Sequence, residues 1–214
     1  MLFGHRDLSD FTLITHRLVQ LKRQGVLIDR ALDIGAYRGG FTDLLLAIWP
    51  GCRIQQFEAD ERQKPYIPNA KICLLGDSER DVNFYTLPEA SCTAGSSVYR
   101  ENSVYYKDPL VLAKRMVTLD SVADYSGDWS RGFVKIDTQG SELLILKGAK
   151  GLLAKRPRFM LLECSVCMYN IDAPLIDDVI CQMREYGYRT RDVCNLLYLS
   201  QGELLQTDIL FEAR

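Results

Sequence analysis

The chain has 214 residues, of which 47% are apolar and 25% charged. These values are ordinary for one globular domain, and they exclude a disordered chain, a collagen-like chain and a small disulfide scaffold. The net charge is −2, so the composition predicts neither a nucleic acid nor a membrane surface as a partner.

Hydrophobic periodicity predicts helices that alternate with short buried strands along most of the chain. Helical spacing of apolar side chains occurs over residues 11–21, 41–48 and 143–152. A further helix is expected over residues 172–187, because Asp172 can cap its start and Gly187 suits its end. Short apolar runs predict strands over residues 31–34, 53–58, 71–75, 82–85, 133–137, 159–163, 188–193, 196–199 and 209–212. The polar stretch 86–115 contains Pro88, Gly95 and Pro109, and it is expected to be a mobile loop.

Nothing in the sequence marks an internal boundary, so we expect a helical N-terminal extension over residues 1–29 and one domain over residues 30–214. Alternating strands and helices predict an α/β fold with a mostly parallel sheet covered on both faces. The candidate strands 196–199 and 209–212 have no helix between them, so one of them is expected to be antiparallel. Ligands of such sheets bind beyond the carboxyl ends of the strands.

Acidic residues end or closely follow five of the predicted strands, and they are Asp33, Glu58, Asp77, Asp137 and Glu163. Each one alone is compatible with a turn or a helix cap. Together on one rim they would crowd negative charge, which costs free energy unless a cation or hydrogen-bond donors offset it. The set therefore favours a binding site for a ligand that carries positive charge.

The first strand runs into a glycine-rich turn, residues 33–42 with the sequence DIGAYRGGFT. Gly35 and Gly39 permit a tight turn and a close approach of backbone to a ligand. Their spacing breaks the dinucleotide fingerprint, which disfavours a nicotinamide oxidoreductase, and no ATP-binding P-loop motif occurs. A carboxylate at Asp33 would repel a pyrophosphate and attract the ammonium or sulfonium of S-adenosylmethionine.

Four further contacts complete this cofactor hypothesis. Glu58 would accept hydrogen bonds from the two ribose hydroxyls, a role that NAD-binding proteins also contain. Asp77 would accept a hydrogen bond from the adenine amino group. The carboxylate of the cofactor would take the free N–H groups at the start of the following helix. Tyr37, which lies between Gly35 and Gly39, is also predicted to contact the cofactor.

Several segments resemble the FkbM-type methyltransferases, which use S-adenosylmethionine and mostly methylate hydroxyl oxygens. The matching segments lie in the expected order at residues 33–42, 57–58, 75–77, 95–97, 117–120, 133–142 and 161–163. The most specific of them is FVKIDTQGSE at 133–142, preceded by VTLD at 117–120. The glycine-rich turn alone is a general methyltransferase signal.

The resemblance implies a Rossmann-like class I methyltransferase fold, with a seven-stranded, mostly parallel sheet whose last strand is antiparallel. It also implies cofactor contacts at Asp33, Gly35, Glu58 and Asp77, and a place for Asp137 where cofactor and substrate meet. Two positions depart from the family pattern, because Tyr37 stands where the family usually has Asn and Gln139 where it usually has Glu.

Methylation of an alcohol requires that the hydroxyl lose its proton, so a general base assists. Asp137 is the first candidate for this base and Glu163 the second. His5 and His16 lie in the N-terminal extension, where packing or a surface position is the better interpretation. The hypothesis is O-methylation of a small-molecule or glycan-like acceptor, and the alternative is a non-catalytic protein of the same fold that binds a nucleotide or S-adenosylmethionine.

The seven cysteines predict reduced thiols in the cytoplasm, because their number is odd and no secretory signal precedes them. Cys164, Cys167, Cys181 and Cys194 are better explained as core thiols than as a zinc site, because Cys164 and Cys167 follow a buried strand and Cys181 falls in the middle of a predicted helix. A divalent metal at Asp137 and Glu163 remains an alternative. The stretch 96–106, with three tyrosines, is either a lid over the substrate or a solvated loop.

Overall fold

The computed structural model of the protein describes residues 12–89, 94–104 and 106–214. The helices are α1 (Thr12–Arg23), α2 (Gly40–Ile48), α3 (Leu119–Val122), α4 (Glu142–Lys147), α5 (Lys150–Lys155) and α6 (Ile176–Glu185). The strands are β1 (Arg30–Ile34), β2 (Arg53–Glu58), β3 (Lys71–Ile72), β4 (Leu74–Gly76), β5 (Arg80–Thr86), β6 (Leu110–Thr118), β7 (Gly132–Ile136), β8 (Phe159–Ser165), β9 (Tyr188–Tyr198) and β10 (Leu204–Ala213).

Seven of these strands form one sheet in the order β3-β2-β1-β7-β8-β10-β9. Each pair of neighbouring strands in the run β3-β2-β1-β7-β8 is parallel, and β10 pairs antiparallel with both β8 and β9. A hairpin joins β9 to β10, and a two-strand hairpin is necessarily antiparallel. The predicted fold class, with an antiparallel last strand, is confirmed.

Both faces of the sheet are covered. Phe133 and Val134 are neighbours in β7 and point to opposite faces, as successive strand residues do. Phe133 packs with residues of α1 and α2, and Val134 packs with residues of α4 and α6. Every residue of β7 and β8 is buried, which is typical of a parallel strand with helices on either side.

The predicted N-terminal helix is present as α1, and its apolar stripe is buried against the sheet. Ile14, Leu18 and Leu21 lie in the same core cluster as Phe133. The helix ends at Arg23, and the backbone at Gly25 is left-handed, with φ 81°. Phe11 and His5 lie outside the described residues. No described helix is both long enough and apolar enough to cross a bilayer.

The structure corrects three predicted elements. The predicted strand 71–75 is broken at Cys73 into β3 and β4, because β4 leaves the large sheet to pair with β6. The predicted loop 86–115 contains the start of β6, which is the middle strand of a second sheet, β4-β6-β5. The predicted strands 188–193 and 196–199 form the single strand β9, with bulges in its pairing to β10.

Two helix predictions also change. The helix expected over residues 143–152 is divided into α4 and α5, and Gly148 lies between them. A Cβ at Gly148 would stand 2.0 Å from the carbonyl oxygen of Gly76, so the chain approaches β4 where only glycine fits. Asp172 does not cap α6, whose N-cap residue is Leu175. The amide N–H of Leu175 donates to the Asp178 carboxylate instead.

Candidate functional site

A cavity of about 170 Å³ opens beyond the carboxyl ends of β1, β2 and β7. Its walls include the β1–α2 turn, the end of β2, β4 and the turn after β7. Ser96, Ser97 and Val98, from the segment before β6, close one side. The cavity therefore lies where open α/β sheets bind their ligands.

Gly35 brings the β1–α2 turn against the turn that follows β7. Its backbone is left-handed, with φ 73°. A Cβ there would lie 1.9 Å from the carbonyl oxygen of Asp137. The amides of Gly35 and Ala36 both donate to the carbonyl oxygen of Phe57, at 3.0 Å, which ties the turn to the end of β2.

Tyr37 occupies a left-handed conformation with φ 49°. A side chain with a Cβ is strained there, and Asn tolerates the conformation best after glycine. This explains why Asn would be usual at the position. Tyr37 retains the backbone contact regardless of its side chain, because its amide donates to Glu58 Oε2 at 2.8 Å.

Glu58 ends β2 and lines the cavity. Its Oε2 accepts from Tyr37, and its Oε1 accepts from the amide of Asp60 at 2.9 Å. Burial raises the pKa of the Glu58 carboxyl, while the amides of Asp60 and Tyr37 act to lower it. Each carboxylate oxygen has two lone pairs, so both oxygens retain capacity to accept a hydrogen bond from a ligand.

Lys135 lies between two of the predicted site carboxylates. Its Nζ is 3.6 Å from Asp33 Oδ1 and 3.4 Å from Asp137 Oδ2, and it donates to the carbonyl oxygen of Gly35 at 2.9 Å. Asp33 is fully buried and accepts from the Thr42 hydroxyl at 2.7 Å. Burial raises the pKa of Asp33, and the charge of Lys135 opposes that rise.

Gln139 connects Asp137 to Glu163. Its Nε2 donates to Glu163 Oε2 and lies 3.3 Å from Asp137 Oδ1. Gln206 of β10 donates to Glu163 Oε2 and to Gln139 Oε1, both at 3.3 Å. A glutamate at position 139 would place a third carboxylate beside the other two, whereas the amide supplies N–H donors to both.

The predicted site residues do not all reach the cavity. Those that line it are Gly35, Tyr37, Glu58 and Asp137. Asp33 lies beneath the glycine-rich turn, Gly39 is the N-cap residue of α2, and Glu163 is buried behind Gln139. Asp77 follows β4 in the small sheet, where it pairs with Arg80 and accepts from Ser78, outside the cavity lining.

Sequence reasoning missed three residues around the cavity, namely Arg38, Gln206 and Glu142. Arg38 lies within the glycine-rich turn, so its position in the motif was the available signal. Gln206 reaches the site only because β10 inserts beside β8, and no local pattern reveals that. Glu142 accepts from the amides of Thr138 and Gly140 at 2.9 and 3.2 Å and was visible only as part of the family segment.

The segment 94–104 packs onto the site. Ser97 pairs with Tyr85 of β5 and donates through Oγ to the carbonyl oxygen of Gln139 at 2.8 Å. The backbones of Glu101 and Asn170 form an isolated antiparallel β-bridge. The side-chain amide of Asn170 donates to the carbonyl oxygen of Gln139 at 2.8 Å. The described part of the predicted lid therefore contacts the turn that carries Gln139. Tyr105 lies outside the described residues.

The cysteines at the end of β8 and in the tail differ in burial. Cys164 and Cys194 are buried, Cys167 is half-buried, and Cys181 is exposed. The described cysteines are all free thiols, and Cys92 lies outside the described residues. Within the described ranges, no group of three or more His, Cys, Asp or Glu side chains is placed to hold a metal ion.

The order of strands, the glycine-rich turn and an acidic residue at the end of β2 together define a class I methyltransferase fold with a nucleoside-binding cleft. The family model of the methyltransferase FkbM domain matches residues 33–190. The chain therefore belongs to the FkbM methyltransferase family. This confirms the predicted family and, with it, S-adenosylmethionine as the cofactor. No match was found among curated proteins.

Solved structures support the fold. The methyltransferase FkbM from Methylobacillus flagellatus KT is similar with a TM-score of 0.52 at 17% identity, over 88% of this chain and 46% of that one. The chain thus spans about half the length of that relative. The magnesium protoporphyrin IX methyltransferase ChlM from Synechocystis PCC 6803, with bound SAM, has a TM-score of 0.52 at 9% identity, over 100% of this chain and 85% of that one.

A S-adenosylmethionine-dependent methyltransferase from Clostridium acetobutylicum ATCC 824 has a TM-score of 0.50 at 7% identity, over 95% of this chain and 92% of that one. At these identities the likeness concerns the fold alone.

Proposed function

We propose that the protein transfers a methyl group from S-adenosylmethionine to a hydroxyl oxygen of a small-molecule or glycan-like acceptor. The observation that carries the proposal is the position of Asp137, whose carboxylate lines the same cavity as Glu58 and Gly35. A base for the acceptor and a carboxylate for the ribose thus face one space, as a hydroxyl methyltransferase requires.

The residues present fit the cofactor. Glu58 has unused acceptor capacity for ribose hydroxyls, and the absence of a side chain at Gly35 keeps the turn close to Asp137. Asp33 and Gly39 act through the shape of the turn. The adenine contact first predicted for Asp77 has the least support, because Asp77 lies outside the lining and pairs with Arg80.

Bound S-adenosylmethionine supplies an electrophilic methyl group. Asp137 accepts the proton of the acceptor hydroxyl, and its side chain is only 14% exposed, so little water competes for it. Lys135 Nζ lies 3.4 Å from Asp137 Oδ2, so a positive charge faces the carboxylate that would act as the base. Glu163 remains the second candidate base, and its contact with Gln139 also positions it to orient that amide.

The alternative of a non-catalytic binding protein is less well supported. The sequence features that favour it are the two departures from the family pattern, at Tyr37 and Gln139. Gln139 donates to Glu163 and lies within 3.3 Å of Asp137, and Asp137 still faces the cavity. The departure therefore leaves the candidate base in place.

The proposal is tested by calorimetric titration with S-adenosylhomocysteine, followed by transfer of a labelled methyl group to a panel of hydroxylated metabolites and oligosaccharides. Glu58→Gln should weaken binding by about 10-fold or more, since a hydrogen bond to a charged group contributes about 1.5–3 kcal/mol. Asp137→Asn should lower transfer by about 100-fold or more, a typical contribution of a general base.

Two matched variants serve as controls. Glu61→Gln changes a carboxylate that is 74% exposed and lies outside the cavity lining, and Asp128→Asn changes an exposed carboxylate that accepts from Ser130. Neither should alter binding or transfer. Wild-type protein that fails to bind S-adenosylhomocysteine would refute the assignment of this cavity, and full transfer by Asp137→Asn would refute the role of Asp137.

A further inference from the structure

Four charged side chains line the cavity within the described residues, and they are Arg38, Glu58, Lys135 and Asp137. Glu58 accepts from two backbone amides, and Lys135 lies between Asp33 and Asp137. Arg38 differs from the other three, because its guanidinium forms no ion pair with any carboxylate in the described part of the chain. One positive charge of the lining is thus left without an opposite charge.

Two tyrosine rings hold the Arg38 guanidinium in place. Its Cζ lies 5.2 Å from the centre of the Tyr37 ring and 4.6 Å from that of Tyr66, distances at which a cation is attracted to an aromatic ring. Contacts with ring faces leave the N–H groups at the edge of the guanidinium plane available to a planar oxyanion.

The Nε of Arg38 is buried and has no hydrogen-bond acceptor among the described residues. A buried donor without an acceptor costs about 1–3 kcal/mol. Native proteins rarely carry this cost without a reason, and a ligand that supplies an acceptor removes it. The next residues of the turn, Gly40 and Phe41, also line the cavity at the start of α2.

We propose that Arg38 binds the carboxylate of the amino-acid part of the cofactor, and this inference rests on the proposed function of the cavity. Guanidinium and carboxylate match in geometry and can form two parallel hydrogen bonds. Arg38 is thereby the residue that distinguishes S-adenosylmethionine and S-adenosylhomocysteine from nucleosides that share the adenosine part and lack the carboxylate. An acidic group of the acceptor is the other source of the same chemistry, and the experiment separates the two.

The experiment compares two ligands, S-adenosylhomocysteine and 5′-methylthioadenosine, by calorimetric titration of wild-type protein and Arg38→Met. S-adenosylhomocysteine carries the carboxylate and 5′-methylthioadenosine does not. Arg38→Met should weaken binding of the first by about 10-fold or more and leave binding of the second within about 3-fold. Arg115→Met is the matched control, because Arg115 is an exposed arginine of β6 and its removal should change neither.

Each other outcome overturns the inference. An equal loss for both ligands would show that Arg38 only shapes the turn, and no loss for either would show that the carboxylate it receives is not the cofactor's. If Arg38→Met does not fold, Arg38→Lys is used instead, because it keeps the positive charge and removes the planar guanidinium. Arg38→Lys should show a smaller loss of affinity, confined to S-adenosylhomocysteine. Failure of wild-type protein to bind either ligand would instead contradict the proposed function.

Discussion

Glu142, the first residue of α4, is a buried carboxylate directly behind the turn that carries Asp137. Burial raises its pKa to about 7, and the charge of Asp137 adds to the rise, while the amides of Thr138 and Gly140 oppose it. Glu142 therefore retains a proton in the folded protein over a pH range in which it would lose that proton in the unfolded chain.

This difference predicts a pH dependence of stability. The reference pKa is 4.5 and the folded pKa about 7. Between these values the folded state binds more protons than the unfolded state, so the free energy of unfolding falls as the pH rises, by an amount on the order of 3 kcal/mol. Glu142→Gln removes the ionisable group and keeps a carbonyl acceptor for Thr138. Its free energy of unfolding should fall less steeply than that of the wild type.

Urea denaturation of both proteins at about pH 5, 6, 7 and 8 measures the effect as the difference between two curves. Burial also raises the pKa of Asp33 and Glu58, but those groups are present in both proteins and their contributions largely cancel in the difference. Parallel curves for wild type and Glu142→Gln would show that Glu142 is not protonated in the folded protein near neutral pH.

At the scale of elements, the turn between β1 and α2 determines whether the cavity can form. Gly35→Ala places a Cβ in a left-handed conformation, which costs about 1–2 kcal/mol, and 1.9 Å from the carbonyl oxygen of Asp137. We expect the free energy of unfolding to fall by at least about 2 kcal/mol and binding of S-adenosylhomocysteine to be lost, measured by denaturation and calorimetry.

The control for that variant is Gly51→Ala, at a turn where φ is not positive and a Cβ would meet nothing within 4 Å. Its effect on stability should stay within about 0.5 kcal/mol. Comparable losses in both variants would mean that the position of Gly35 carries no special constraint.

Elements whose side chains are buried in the core were predictable from the sequence, and elements that depend on distant partners were less so. The strands β7 and β8 are short apolar runs, because both of their faces are buried. Only one residue of β6, Met116, is buried. Its other positions are partly or fully exposed, so the strand has no strong hydrophobic pattern and depends on pairing with β4 and β5.

At the scale of the whole molecule, α1 is part of the main core. Leu18 is almost fully buried among residues of α2 and β7, whereas Leu13 on the same helix is 45% exposed. Leu18→Ala should lower the free energy of unfolding by about 2–5 kcal/mol, since it leaves a cavity in the core. Leu13→Ala should cost no more than about 0.5 kcal/mol.

Chemical denaturation of these two variants also tests how far the expected N-terminal extension is independent. Similar small effects at Leu18 and Leu13 would mean that α1 contributes little to the stability of the sheet. A large effect confined to Leu18 would place residues 12–29 in the same folding unit as residues 30–214.

The residues of the site differ in the same way, because some are marked by a local sequence motif and others are placed only by long-range contacts. Gly35 and Glu58 were predicted because a short motif and a strand end mark them, and both line the cavity. Asp77 was expected beside them because it also follows a predicted strand. It lies outside the cavity lining and pairs with Arg80, although Leu74 and Leu75 of β4 line the cavity. A position directly after a strand therefore does not by itself place a side chain in the cavity.

The sequence alone determined the α/β class, the family and the cofactor, because these depend on periodicity and on motifs within short segments. Tertiary structure decided the partners of charged groups. It placed Lys135 between Asp33 and Asp137, brought Gln206 to Glu163 and left Arg38 between two tyrosine rings. The energy of a charge depends on its neighbours and its burial, and long-range contacts fix both, so no local pattern contains that information.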